Sequence, residues 1–305
     1  MSEDLEQRDN RRRTALMRAC EEGNLEQVQR LIDKGANIET KNNIGWTPLM
    51  HVCVGGHESI VRLLIDKGAH VDPRALKTAA QAGYASIVKL LIRAGADING
   101  NQGGTESTAL ALASERGHVD VVDFLLSLGA DTEARDWRER TALMTSGWYG
   151  RIDVVDRLLA AGCNVHAQDD DESTPLMWAA DEGHVSIIDR LVVHGADFNH
   201  QSKIGGNALI WASASGRVEA VDRLLSLGCD VNAQDQAGYT ALMWACCNAK
   251  VDVVKLLLDH GADPLICSKS EQRAIDMSPA SPPKIRIILN GLIFLSFRHH
   301  HHHVP

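Results

Sequence analysis

Apolar residues return along this chain at helical spacing, in pairs of short runs separated by glycine. The stretch 174–184 sets the pattern. At roughly 100° per residue, Leu176, Ala179 and Ala180 share one face of a helix, while Trp178, Asp181 and Glu182 fall on the opposite face. Thr174 suits the N-cap, Pro175 the first helical position, and Gly183 the left-handed residue that closes a short helix. Ile188, Leu191 and Val192 then mark the buried side of a second helix, which Gly195 stops. The predicted unit is a two-helix hairpin with one dry face and one face left for something else.

The same unit recurs from end to end. Its leading apolar position is Leu16, Leu49, Leu76, Leu110, Leu143, Leu176, Leu209, Leu242 and, in degraded form, Ile275. The spacing is 33 residues throughout, except for 27 before Leu76 and 34 before Leu110. The glycine that stops the second helix keeps the beat at Gly35, Gly68, Gly95, Gly129, Gly162, Gly195, Gly228 and Gly261. A fixed period of this length means an array in which each unit buries its faces only against its neighbours.

The blocks Thr47-Pro48-Leu49-Met50, Thr174-Pro175-Leu176-Met177 and Thr240-Ala241-Leu242-Met243, followed by Gly-Ala-Asp at Gly195 and Gly261, resemble ankyrin repeats over about residues 10–290. The resemblance implies an all-α solenoid of stacked helix-turn-helix units with short β-hairpin fingers, whose concave side binds partners. One departure is systematic. Met17, Met50, Met144, Met177, Ile210 and Met243 stand where the family has a histidine that ties the finger to its helix, so the fingers are expected to be held by packing. The expected organisation is a polar N-terminal cap over 1–9, eight repeats over 10–265, a partial capping repeat over 266–290 and an apolar, histidine-rich tail over 291–305. Repeat 3 should lack its finger, because Val71-Asp72-Pro73 runs directly into a helix, and repeat 4 should carry one extra residue within 99–104.

Composition narrows the function. Aromatic residues are only 4% of the 305, so the core must be filled by Leu, Val, Ile and Ala. A formal charge of −9 leaves no basic footprint for nucleic acid, and Arg11, Arg12 and Arg13 read as a solvated capping surface. The N-terminus Met1-Ser2-Glu3-Asp4 lacks the apolar core of a signal peptide. The longest apolar run, 13 residues at 285–297, is interrupted by Arg286 and Asn290, so no membrane insertion is expected. The expected location is the cytoplasm, with the nucleus as the alternative. Seven cysteines without zinc-ligand spacing read as small hydrophobes of a reduced compartment; Cys20, Cys53 and Cys246 take the slot of Ala180, and Cys163 and Cys229 replace the Ala of the Gly-Ala pair.

No nucleophile with its base, paired acid and base, or phosphate-cradling loop stands out. Asp169-Asp170-Asp171-Glu172 lacks the remaining spacing of a calcium loop, and His57, His118 and His184 sit at a repeat-fixed position suited to capping or packing. The expected protein is therefore non-catalytic, with no cofactor and no metal: a scaffold or targeting adaptor, monomeric on its own. Candidate contact residues gather in repeats 5 to 8. Trp178, Trp211 and Trp244 recur two residues after the leading position; Trp148 and Tyr149 take outward slots of a helix weakened by Thr145, Ser146 and Gly147. Trp137, Arg138 and Arg140 lie on one finger, Asp170 and Asp171 on the next, Asp181 and Glu182 on an outward face, and Tyr239 beside the last tryptophan. That mixture predicts a protein partner with an acidic element for Arg138 and Arg140 and a basic one for Asp170, Asp171, Asp181 and Glu182. The alternatives are a small-molecule or nucleotide binder using the indoles, or the regulatory portion of a larger enzyme.

Overall fold

A computed structural model describes residues 4–100, 106–203, 205–277 and 283–300, with side chains described as far as residue 291. It divides into two compact units, Met1–Trp137 and Arg138–Pro305. The first holds four helix pairs: α1 Ala15–Glu22 with α2 Leu25–Asp33, α3 Pro48–Gly55 with α4 Glu58–Asp66, α5 Pro73–Ala82 with α6 Ala85–Arg93, and α7 Ala109–Arg116 with α8 Val119–Ser127. The second holds α9 Ala142–Trp148 with α10 Ile152–Ala160, α11 Pro175–Glu182 with α12 Val185–Val193, α13 Ala208–Ala214 with α14 Val218–Ser226, and α15 Ala241–Cys247 with α16 Val251–Asp259. A 3₁₀ turn at Ala274–Met277 and α17, Pro283–His300, follow. The class is all-α, as the period predicts.

Six of the eight inner helices, each the first of its pair, start by the same local chemistry. Thr14, Thr47, Thr108, Thr174 and Thr240 each accept a hydrogen bond from the backbone N–H three residues on, and Asn207 does the same in the seventh pair. Helices of 7 to 10 residues are too short to persist alone. They persist here because inner packs on inner and outer on outer within each unit: α1, α3, α5 and α7 in the first, α9, α11, α13 and α15 in the second. The core is aliphatic, with Leu16, Leu49, Leu110 and Leu176 at most 1% exposed.

The inter-helix glycine ties one repeat to the next. Gly56 takes φ +75°, and the Tyr84 ring of the following repeat lies 2.7 Å from where a Cβ would stand. His118 covers Gly83 in the same way and donates from Nε2 to the Gln81 carbonyl at 2.8 Å; His184 covers Gly150 and donates to the Trp148 carbonyl at 2.8 Å. The repeat-fixed histidines are thus inter-repeat braces. The stop glycine of the outer helix, such as Gly68 at φ +83°, has nothing within 4 Å of the same position.

The fingers are turns more than ladders. Among the described residues one antiparallel bridge occurs, Gln234 to Thr240. Neighbouring fingers join through the backbone: the Asp170 N–H donates to the Arg138 carbonyl, Lys203 to Asp171 and Lys269 to Ala237. Between α4 and α5 the chain spends only residues 67–72, and Asp72 caps α5 by accepting from the Arg74 N–H at 2.8 Å. The extra residue expected in 99–104 falls largely at 101–105, outside the described residues, as do Pro279, Pro282 and His301 to His303. At the far end α17 runs unbroken across residue 290, where the sequence suggests a boundary between cap and tail.

Cys20, Cys53, Cys163, Cys229 and Cys246 are buried, and burial pushes the Cys20, Cys53, Cys229 and Cys246 thiols up to about 12. Only Cys247 and Cys267 are exposed. Native-state alkylation followed by mass spectrometry should label Cys247 and Cys267 rapidly and the other five only on unfolding. Gly68→Ala should cost about 1 kcal/mol, the strain of a left-handed non-glycine residue. Gly56→Ala should cost more, because the Tyr84 ring must also move; urea unfolding of the two variants tests the difference.

Candidate functional site

The base of four fingers is organised by one short polar residue, at Asp9, Asn42, Asp169 and Asp235. One side-chain oxygen accepts the backbone N–H groups two and four residues on. For Asp169 these are Asp171 and Ser173, at 3.0 and 2.8 Å; for Asp235 they are Ala237 and Tyr239, at 3.0 and 2.8 Å. The other carboxylate oxygen takes a donor from the inner helix that follows. Trp178 Nε1 donates to Asp169 Oδ2 at 3.0 Å, and Trp244 Nε1 to Asp235 Oδ2 at 3.0 Å. In the first repeat Arg18 donates to Asp9 Oδ2 at 3.3 Å. The Asp9 carboxyl is held down to about 2, chiefly by the Arg13 N–H working against desolvation, with the Arg11 N–H and the Arg13 and Arg18 guanidiniums adding to it.

This corrects the expectation that the fingers are held by packing. The indole N–H supplies a hydrogen bond from helix to finger, from a position two residues after the leading Leu. It also corrects the reading of that position as an open face: Trp178 is 9% exposed and packs with Met144 and Ala167, with Trp148 beside it. The helix α9 is explained the same way. Thr145, Ser146 and Gly147 are buried, the two hydroxyls donate back to the Ala142 and Leu143 carbonyls, and a Cβ on Gly147 would sit 3.8 Å from Ile187 and 3.9 Å from the Pro175 carbonyl. The run is buried and faces the next helix pair, at ordinary van der Waals distance.

The aromatic side chains form a row. Ring centroids of Tyr149 and Trp148 lie 4.9 Å apart, Trp148 and Trp178 5.5 Å, Trp178 and Trp211 6.4 Å, and Tyr239 and Trp244 5.7 Å. Between Trp211 and Trp244 the row opens into a groove of about 340 Å³, lined by Asp181, Gly205, Ile210, Trp211, Ala214, Ser215 and Trp244. The seventh finger, beside this groove, departs from its neighbours. Ser202 stands where its neighbours carry aspartate, so Trp211 Nε1 donates instead to the Gly205 carbonyl at 3.1 Å.

The charged candidates are largely engaged within the fold, which corrects the picture of open acids and bases awaiting a partner. Arg138 lies 3.3 Å from Asp171 and 4.0 Å from Asp170, and its guanidinium carbon stands 5.6 Å from the Trp178 ring centroid. Glu182 accepts from Trp148 Nε1 at 3.1 Å and pairs with Arg217 at 3.4 Å. Asp181 accepts the Ser215 hydroxyl on Oδ1 at 2.6 Å. Arg140 is half-buried, Tyr239 donates to Gln272 at 3.4 Å, and Trp137 and Tyr149 remain 71% and 44% exposed. Ser215, Ile210 and Gly205 were missed from the sequence, where nothing distinguishes them from other small or apolar repeat positions. The finger acids were missed although their 33-residue beat was in plain view. Among the described residues no cluster of His, Cys, Asp and Glu could hold a metal ion, and no helix is long and apolar enough to cross a membrane.

A family model described as ankyrin repeats (3 copies) matches residues 2–75, 76–169, 143–235 and 176–266. No curated protein matches the chain. The indole-to-carboxylate bond predicts a graded response to mutation. Trp178→Phe, which strands Asp169 Oδ2, should cost about 2 kcal/mol, and Trp211→Phe, which loses only a bond to a neutral carbonyl, about 1 kcal/mol. Equilibrium unfolding in urea measures both.

Proposed function

This chain belongs to the ankyrin-repeat family, and we propose that it is a non-catalytic recognition module whose partner protein lies across the inner helices and fingers of repeats 5 to 8. Repeats of this family generally mediate protein–protein interaction. The observation that carries the reading here is the aromatic row of the second unit. It combines one open apolar groove between Trp211 and Trp244 with an exposed aromatic, Tyr149, at its other end. Trp and Tyr in partly desolvated settings are the side chains on which interface energy concentrates.

The engaged charges refine the partner. Arg138, Asp171, Glu182 and Arg217 already compensate one another, so a partner gains little by adding a second ion pair to them. Affinity is assigned to the apolar row and to Asp181, and the partner's complementary feature is an extended segment carrying apolar and basic side chains. As a scaffold or targeting adaptor, the chain would hold that segment without chemical change.

Trp148 is unsuited to test this, because its packing and its bond to Glu182 make its loss a stability change. Tyr149→Ala separates the two effects, because Tyr149 is 44% exposed; Trp244→Phe strands Asp235 Oδ2 and is read only for whether capture survives it. In affinity purification from source cells, Tyr149→Ala should lower capture of the specific partner about tenfold, with an unfolding midpoint close to wild type. Undiminished capture by Tyr149→Ala together with Trp244→Phe places the partner elsewhere on the chain.

A further inference from the structure

We propose that the groove between Trp211 and Trp244 seats an arginine side chain from an extended segment of the partner, with its guanidinium stacked on indole and hydrogen-bonded to Asp181. The proposal deepens the recognition reading above and rests on it.

The protein contains the arrangement once already, completed by its own residue. Arg138, from the finger of repeat 5, stands over the Trp178 ring at 5.6 Å with the Asp171 carboxylate 3.3 Å away. One repeat later the position equivalent to Arg138 is Asp171, and one later still it is Ile204. The chain therefore places no arginine at the corresponding finger position for Trp211 or Trp244, and among the described residues no cation stands over either ring. The groove thus offers an indole and an acid as the internal site does, but its acid, Asp181, comes from the inner helix α11 rather than from a finger, and among the described residues no base stands over either ring.

Its chemistry suits that base. Asp181 spends Oδ1 on the Ser215 hydroxyl, and among the described residues nothing bonds its Oδ2. The nearest cations are committed elsewhere: Arg217 donates to the Asp181 carbonyl at 3.0 Å and pairs with Glu182, while the Lys250 stem lies against Gly216. Ile210 and Ala214 give an alkyl stem an apolar wall. A guanidinium is flat and weakly hydrated, so it can stack on an indole and donate in its own plane at the same time, which an ammonium cannot do. The acid also disfavours a phosphate-bearing ligand in the same groove.

The test uses the full chain with indole N–H resonances followed by NMR, assigned through Trp211→Phe and Trp244→Phe. N-acetyl-arginine amide, N-acetyl-lysine amide and the neutral isostere N-acetyl-citrulline amide are titrated in turn. The arginine probe should shift the Trp211 and Trp244 signals saturably, bind about tenfold more tightly than citrulline, and leave Trp46 unmoved. Asp181→Asn should abolish the preference for arginine over citrulline; since asparagine retains an acceptor for Ser215, its unfolding midpoint should stay near wild type. Equal affinity for citrulline, tighter binding of lysine, or an unchanged preference in Asp181→Asn overturns the proposal. A silent arginine titration with partner capture still dependent on Tyr149 overturns this subsite alone, whereas undiminished capture by the Tyr149→Ala and Trp244→Phe chain overturns the recognition surface beneath it.

Discussion

At the base of a finger, a single carboxylate closes a backbone turn with one oxygen and anchors a helix with the other. Asp169 and Asp235 hold the N–H groups of their own turns on Oδ1 and the indole of Trp178 or Trp244 on Oδ2. Both acids are less than 9% exposed, so leaving either oxygen unpaired would leave a charge without compensation. On the inner-helix face of the second unit this bond ties the Trp178 and Trp244 indoles to their fingers.

The seventh repeat shows what happens when the bond changes partner. With Ser202 in place of the acid, the Trp211 indole turns to a backbone carbonyl. Trp178 and Trp211 remain in edge contact while Trp211 and Trp244 flank a groove. A one-residue departure from the repeat thus sits beside an open apolar groove of the unit. That coincidence of a broken rule with an opening is how repeat scaffolds acquire a site, since the other copies continue to supply stability.

Much of the fold was legible because the information is periodic and local. The 33-residue beat of leading Leu and stop Gly located sixteen helices in eight pairs, and the cap at Thr174 marked the start of its helix. The surface was read less well. Helical-wheel geometry placed Trp178 on a face opposite Leu176, yet in a stack that face abuts the finger and the next repeat, and Trp178 is buried. Likewise Asp170, Asp171 and Glu182 read as free acids in the one-dimensional pattern and turn out to face Arg138 and Arg217, 32 to 35 residues away in the chain. The weak helix-forming run Thr145-Ser146-Gly147 looked like a functional conflict and is buried against the next repeat.

By itself, the sequence determined the repeat, its helices and its aliphatic core, because each depends on residues within one period and on the hydrophobic spacing of a short helix. It also determined the family. Which outward residues are open was decided only by the tertiary structure, because that depends on the neighbour one period away. Trp178 receives Arg138 across that distance, whereas Trp211 and Trp244 meet no such cation among the described residues. Three tryptophans at identical repeat positions therefore end in three different environments, and the difference is carried by the fingers beside them.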